Sequence, residues 1–147
     1  MNYCEYFSDT LKDLMSERQI TIKILSEQTK IRLSRLYEFI NEKRLPSLEN
    51  AIKIAEYFHC SLDYLFGFSN NYENCKFETV SSIAERIRTV IDNCGKSRYA
   101  ICKQLKIDQS QMLKWYKGKQ IPALSSLLKI ADLFDYSLDY LTGREKL

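Results

Sequence analysis

Apolar residues recur along this chain at spacings of three and four positions, which place them on one face of an α-helix. Near the start, Tyr3, Phe7, Leu11 and Leu14 follow this spacing and predict a first helix that ends near Arg18. Four shorter patterns follow, and the third helix of the series is predicted from about residue 32 to residue 41. Residue types that cap helix N-termini precede the second, fourth and fifth helices, namely Thr21, Ser47 and Ser61. The first 67 residues are therefore predicted to form five helices.

The same order of patterns returns 76 residues later. The stretch SLDYLFG that begins at Ser61 is matched by SLDYLTG at Ser137, and 17 of 61 aligned positions are identical without a gap. Positions that are not identical keep their apolar character, as Phe39 does opposite Trp115. Such a repeat predicts two copies of one unit, in residues 1–67 and 80–147, joined by a linker in residues 68–79.

The predicted linker is polar and turn-prone. Fully extended, it would span about 35–40 Å; packed against its neighbours, it would instead hold the two copies rigidly, and the sequence leaves both arrangements open. In the second copy, Thr79 or Ser81 is predicted to open the first helix. The caps of its second, third and fifth helices are expected at Ser97, Asp108 and Ser137.

Composition narrows the class of protein. Two prolines and four glycines in 147 residues disfavour a turn-rich β fold. The five cysteines are odd in number and form no CxxC pair, which is typical of reduced thiols in a cytoplasmic protein rather than of a disulfide framework or a zinc site. No apolar run reaches the roughly 20 residues that a membrane span needs, and the first residues lack the layout of a secretion signal. No cofactor, metal or small-molecule ligand is predicted.

Charge is distributed unevenly. Residues 1–75 carry nine Lys and Arg against eleven Asp and Glu, a net charge of −2, while residues 76–147 carry thirteen against eight, a net charge of +5. The basic half is compatible with a polyanionic partner. The sequence shows no paired carboxylates, phosphate-cradling glycines or nucleophile motif, so we expect that the protein is not an enzyme. The single histidine, His59, and the single tryptophan, Trp115, are assigned structural roles.

A very short turn joins the second and third predicted helices of each copy, which is a helix-turn-helix arrangement. Two helices that cross over such a turn need a small residue where they touch, and Ser26 and Cys102 stand at that place. With these features, the stretches from Ile20 to Gly67 and from Lys96 to Gly143 resemble the lambda-repressor-like (Xre/Cro-type) helix-turn-helix family of DNA-binding proteins. The resemblance implies an all-α fold made of two tandem five-helix lambda-repressor-like helix-turn-helix domains.

The sequence departs from this family in the turn and at a phosphate-binding position. Lys30 and Lys106 stand where the family usually has Gly, and a Lys with a positive φ angle there costs about 1 kcal/mol. The family often places Gln second in the second helix, where it touches a phosphate. Ile22 occupies that position in the first copy and cannot make the contact well, whereas Arg98 in the second copy can.

The resemblance also implies which side chains touch DNA, because in this family the third helix enters the major groove and its first residues face base edges. In the second copy the implied base-reading residues are Gln109, Ser110, Gln111 and Lys114. In the first copy they are Arg32, Ser34 and Arg35. Contacts to the phosphate backbone are implied for Lys96, Arg98, Lys117, Lys119, Lys43 and Arg44.

These assignments imply a sequence-specific regulator of transcription that binds double-stranded DNA, acts as a repressor and resides in the cytoplasm at the nucleoid. The alternative is that the acidic first domain is a protein-interaction or dimerisation module that does not bind DNA. Because the two reading helices differ in sequence, two active copies would read unlike half-sites. Whether chains also pair as homodimers stays open.

Overall fold

The computed structural model describes residues 2–147. Helices make up 61% of the chain, about twice the share in an average globular domain, so the fold is mostly helical. The chain divides into two compact units, one that ends at Lys76 and one that runs from Phe77 to Leu147. Among the described residues, no helix is both long enough and apolar enough to cross a membrane.

The first unit contains five helices. Their bounds are α1 Tyr3–Arg18, α2 Ile22–Thr29, α3 Leu33–Ile40, α4 Leu48–Phe58 and α5 Leu62–Leu65. The predicted caps are confirmed, since the side chains of Thr21, Ser47 and Ser61 each accept a hydrogen bond from the backbone N–H three residues further on. The predicted end of the first helix at Arg18 is confirmed as well.

The second unit contains five helices and two short strands. Their bounds are β1 Phe77–Thr79, α6 Ile83–Asn93, α7 Arg98–Leu105, α8 Gln109–Tyr116, α9 Leu124–Phe134, α10 Leu138–Leu141 and β2 Arg144–Lys146. The caps predicted at Ser97, Asp108 and Ser137 are confirmed. The predicted opening of the first helix was wrong: Thr79 pairs with Arg144 in the antiparallel β1–β2 sheet, and the side chain of Ser82 caps α6.

Helix ends recur at the offset seen in the sequence. Both ends of α7, α8, α9 and α10 lie 76 residues after those of α2, α3, α4 and α5. The residues with a positive φ angle in the described part of the chain recur at the same offset, in the pairs Gln19 and Gly95, Lys30 and Lys106, Glu42 and Gly118, His59 and Asp135, and Gly67 and Gly143. Since positive φ ends helices and reverses the chain, the turns of α2–α5 are reproduced in α7–α10.

The core of each unit is formed by the apolar faces that the sequence predicts. In the first unit, Phe7 is fully buried and packs edge-on against Phe39 and stacked on Phe66, with ring centroids 5.8 and 5.1 Å apart. In the second unit, Met112 and Trp115 turn inward from α8 and are 2% and 4% exposed. Trp115 is therefore a packing residue, as predicted. This burial fixes which face of each third helix remains in solvent.

The segment between residues 68 and 79 packs locally instead of extending. The Tyr72 hydroxyl donates to the Phe58 carbonyl at 2.5 Å, and the Cys75 N–H donates to the His59 carbonyl at 2.8 Å. From Phe77 onward the chain forms β1, and the Val80 N–H donates to the Gly143 carbonyl at 2.9 Å. Residues 72–75 are thus bonded within the first unit and residues 77–80 within the second. While these contacts hold, the extended span of the predicted linker is not available.

Candidate nucleic-acid interface

The turns between α2 and α3 and between α7 and α8 have matching backbones. Lys30 and Lys106 end the two preceding helices with φ angles of 63° and 58°, as expected for a Lys that replaces the turn glycine. The Ser26 hydroxyl donates to the Ile31 carbonyl at 2.5 Å, so this small side chain also closes the turn.

Cys102 takes the place of Ser26 in the second unit. It is buried, and its thiol donates to the Asp108 carbonyl across 3.8 Å. Burial raises the pKa of the Cys102 thiol, and the nearby Asp108 carboxylate raises it further. The thiol is therefore protonated at neutral pH and can donate this hydrogen bond, while it is a poor nucleophile.

The opening residues of α8 lie on the surface. Asp108 caps the helix by accepting a hydrogen bond from the Gln111 N–H at 2.7 Å. Gln109, Ser110 and Lys114 are exposed and Gln111 is half-buried. Residues three and four apart share a helix face, so Ser110, Gln111 and Lys114 lie side by side there. The structure thus brings together the base-reading residues predicted for the second copy.

The side chain of Gln111 is held by a residue that the sequence did not indicate. Its Nε2 donates to Oε1 of Gln120 at 2.8 Å. Gln120 stands 76 residues after Arg44, which was assigned to phosphate binding. The offset was therefore the signal that could have drawn attention to it.

The cations predicted to bind phosphates in the second unit are exposed around α8. The Arg98 guanidinium lies 4.4 Å from the centroid of the Tyr116 ring, and the Lys96 ammonium donates to Gln104 Oε1 at 3.0 Å. Lys117 ends α8, and Lys119 follows in the exposed loop. These side chains place positive charge beside α7 and α8.

Three further residues stand near this surface and were not predicted as contacts. Tyr99 and Lys103, one helical turn apart on α7, line an open groove of about 310 Å³ together with Gln109. Arg88 donates from Nε to the Tyr116 carbonyl at 3.1 Å at the other end of α8. Helical spacing from Arg98 could have indicated Tyr99 and Lys103, whereas Arg88 reaches α8 only through the tertiary fold.

In the first unit, the residues predicted to read bases are exposed to different degrees. Arg32 and Ser34 are exposed and Arg35 is half-buried, although Arg32 precedes α3 and provides no side-chain cap. Leu33 and Tyr37, on the same short helix, are 37% and 48% exposed. The surface of α3 is therefore more apolar than that of α8.

Glu38 separates the two units electrostatically. Its Oε2 lies 2.9 Å from Arg44 Nε and 3.6 Å from Arg35 Nη1, while Lys43 is exposed beside them. The corresponding residue of the second unit is Lys114. Two of the cations predicted to contact DNA are thus partly neutralised in the first unit.

The remaining candidates are structural. His59 ends α4 with a φ angle of 54°, and Tyr64 and Tyr140 are half-buried, which confirms their predicted packing roles. The five cysteines are free thiols, and no group of three or more metal-binding side chains occurs in residues 2–147.

Comparison with known proteins identifies the class of the first unit. Residues 9–67 match the family model of a helix-turn-helix domain, a span that includes α2, α3 and the turn between them. No curated protein and no solved structure matches the chain. The match indicates a helix-turn-helix domain, which is typical of DNA-binding regulators and not of enzymes.

Proposed function

We propose that this protein is a sequence-specific regulator, a repressor of transcription, built from two tandem lambda-repressor-like domains that bind double-stranded DNA. In this proposal α8 enters the major groove and is the principal reading helix. The supporting observation is that α7–α10 reproduce the bounds and turns of α2–α5 at an offset of 76 residues. The helix-turn-helix match of residues 9–67 is thereby extended, by geometry, to the basic second unit.

The side chains of α8 suit the major groove. The amide of Gln111 can pair with adenine through one acceptor and one donor, and the Lys114 ammonium can donate to guanine; each good contact contributes about 1–3 kcal/mol of discrimination. Because Met112 and Trp115 anchor the opposite face of the helix in the core, these side chains are presented on a rigid element. Gln109 and Ser110 add polar contacts at the helix start.

Phosphate contacts would orient α8 in the groove. Arg98 stands at the start of α7 and Lys96 just before it, while Lys117 and Lys119 follow α8. Cations on both sides of a reading helix can bind the two strands that border the major groove. Four such contacts predict a log–log salt slope of about −3.6, and hence a loss of roughly 150-fold in affinity between 50 and 200 mM salt.

The first unit is proposed to bind DNA more weakly. Arg35 suits guanine and Arg32 and Ser34 stand beside it, with Lys43 and Arg44 available for phosphates. Glu38, however, binds Arg35 and Arg44 and would itself face the DNA. Since the reading residues differ from those of α8, the half-site read by this unit would differ in sequence.

Selection from a pool of random duplexes tests the proposal. We expect enrichment of a single sequence motif, and an affinity for the enriched duplex that falls about 150-fold between 50 and 200 mM salt. A pool that stays random after selection, or an affinity that is insensitive to salt, would contradict the proposed function.

A further inference from the structure

The loop that follows each reading helix turns back onto it. After α8, Gly118 has a φ angle of 73°, and the N–H groups of Lys119 and Gln120 both donate to the Lys114 carbonyl, at 2.9 and 3.3 Å. In the first unit, Glu42 has a φ angle of 60°, and the Lys43 N–H donates to the Glu38 carbonyl at 2.8 Å. The reversal thus brings the residues after the helix back beside its exposed face.

In both units, this reversal brings a side chain to the residue nine positions earlier. Gln120 accepts the hydrogen bond of Gln111 in the second unit. Arg44 reaches Arg35 in the first unit through the shared carboxylate of Glu38. The same pair of positions is therefore linked in two units whose side chains have nothing in common there.

We propose that Gln120 is a positioning residue that determines which base Gln111 reads. This inference deepens the proposed function and rests on it. An amide NH₂ group carries two hydrogens. With one of them held by Gln120 Oε1, Gln111 keeps its second hydrogen and its Oε1, which are the donor and acceptor that the N7 and N6 groups of adenine require.

The hydrogen bond matters because a free Gln111 side chain would have several rotamers and either orientation of its amide. A fixed amide presents one order of donor and acceptor, whereas a rotating amide can offer either order to different bases. Loss of the bond should therefore relax the choice of base more than it weakens binding. The anchoring of Gln120 to the Lys114 carbonyl keeps the acceptor in place before DNA arrives.

The test uses the full-length protein and the duplex that it selects. Gln120→Met removes the acceptor at similar volume, and Gln120→Glu keeps an acceptor while adding a negative charge. Gln28→Met makes the matched change at an exposed position of the first unit. For each protein we would measure affinity for the selected duplex and for the three duplexes that differ at the base pair whose preference Gln111→Ala abolishes.

We expect Gln120→Met to reduce the preference for the selected base about fivefold, with affinity for unrelated duplex and the salt slope unchanged. Gln120→Glu should bind every duplex more weakly and keep the preference, and Gln28→Met should resemble the wild type. An unchanged preference in Gln120→Met, or its loss in Gln120→Glu as well, would overturn the inference alone. If the wild type selects no duplex, or if Gln111→Ala changes no base preference, the assignment of α8 as a reader fails first and the inference fails with it.

Discussion

At the scale of single residues, equivalent backbone positions carry opposite chemistry in the two units. Glu38 and Lys114 occupy the same place on α3 and α8, but one binds two arginines and the other is an exposed cation. The pair shows how one side chain can change the charge of a surface without altering the helix beneath it. Such positions decide function, because the buried faces of both helices already fix the fold.

Glu38→Gln is expected to strengthen DNA binding. The change removes a negative charge from the surface of α3 and releases Arg35 and Arg44 to contact DNA. We expect affinity for the selected duplex to rise about fivefold at 50 mM salt, and the salt slope to become steeper by about 1–2. Glu17→Gln, on α1, is the control for the same change in net charge. Equal affinities and slopes for Glu38→Gln and the wild type would show that α3 does not approach DNA.

Gly143→Ala is expected to destabilise the second unit far more than Gly95→Ala. Both glycines have a φ angle near 73°, so alanine at either position costs about 1 kcal/mol in backbone strain. A Cβ at Gly95 would meet no atom within 4 Å, whereas one at Gly143 would collide with the Ser81 carbonyl oxygen. We expect Gly143→Ala to cost at least about 2 kcal/mol more than Gly95→Ala.

Denaturant unfolding followed by tryptophan fluorescence measures this difference. The chain has a single tryptophan, Trp115, which is buried in the second unit and reports the unfolding of that unit. Equal midpoints for the two alanine variants would mean that the chain beside Ser81 yields to the added methyl group.

At the scale of elements, the sequence predicted what is local and missed what is not. Helix positions, caps and buried faces follow from residues a few positions apart, and Thr21, Ser97 and Asp108 were correctly assigned as caps. The β1–β2 pair was missed because three-residue strands carry almost no periodic signal, and their partners lie at opposite ends of the second unit. The partners of Gln111 and Glu38 were missed because chain reversal after the helix sets them.

The cap of α8 gives a prediction at this scale. Asp108→Ala removes the acceptor for the Gln111 N–H and should destabilise the second unit by about 1 kcal/mol, while Asp108→Asn retains an acceptor and should cost less. Tryptophan fluorescence during denaturation again provides the measurement. Because the cap also holds the first turn that carries Gln111, Asp108→Ala should weaken binding to the selected duplex. If Asp108→Ala is as stable as Asp108→Asn, the cap contributes little to α8.

At the scale of the whole molecule, two units with the same helix bounds differ in charge and in the residues that face solvent. The repeat could be read from the sequence, since apolar positions and turns recur at one offset. The inequality of the units could be predicted in part, from the net charges of −2 and +5. The pairing of Arg35 and Arg44 with Glu38 could not, because it depends on side chains that meet only after the chain folds.

Footprint length distinguishes one active reader from two. If both units bind, the wild type should protect about two helical turns of the selected duplex, and Arg35→Ala should reduce protection of one half-site only. A single turn of protection, unchanged by Arg35→Ala, would assign DNA binding to the second unit alone. Because a homodimer could also protect two turns, the mass of the complex must be measured alongside.

The assignment of α8 as the reading helix is tested most directly by comparing the wild type with the double variant Gln111→Ala, Lys114→Ala. Affinity is measured for the duplex that the wild type selects and for a scrambled duplex of equal length. We expect each substitution to lower affinity for the selected duplex by about 1–3 kcal/mol, with a much smaller loss for the scrambled one. A double variant that binds the selected duplex as tightly as the wild type would contradict a reading role for α8.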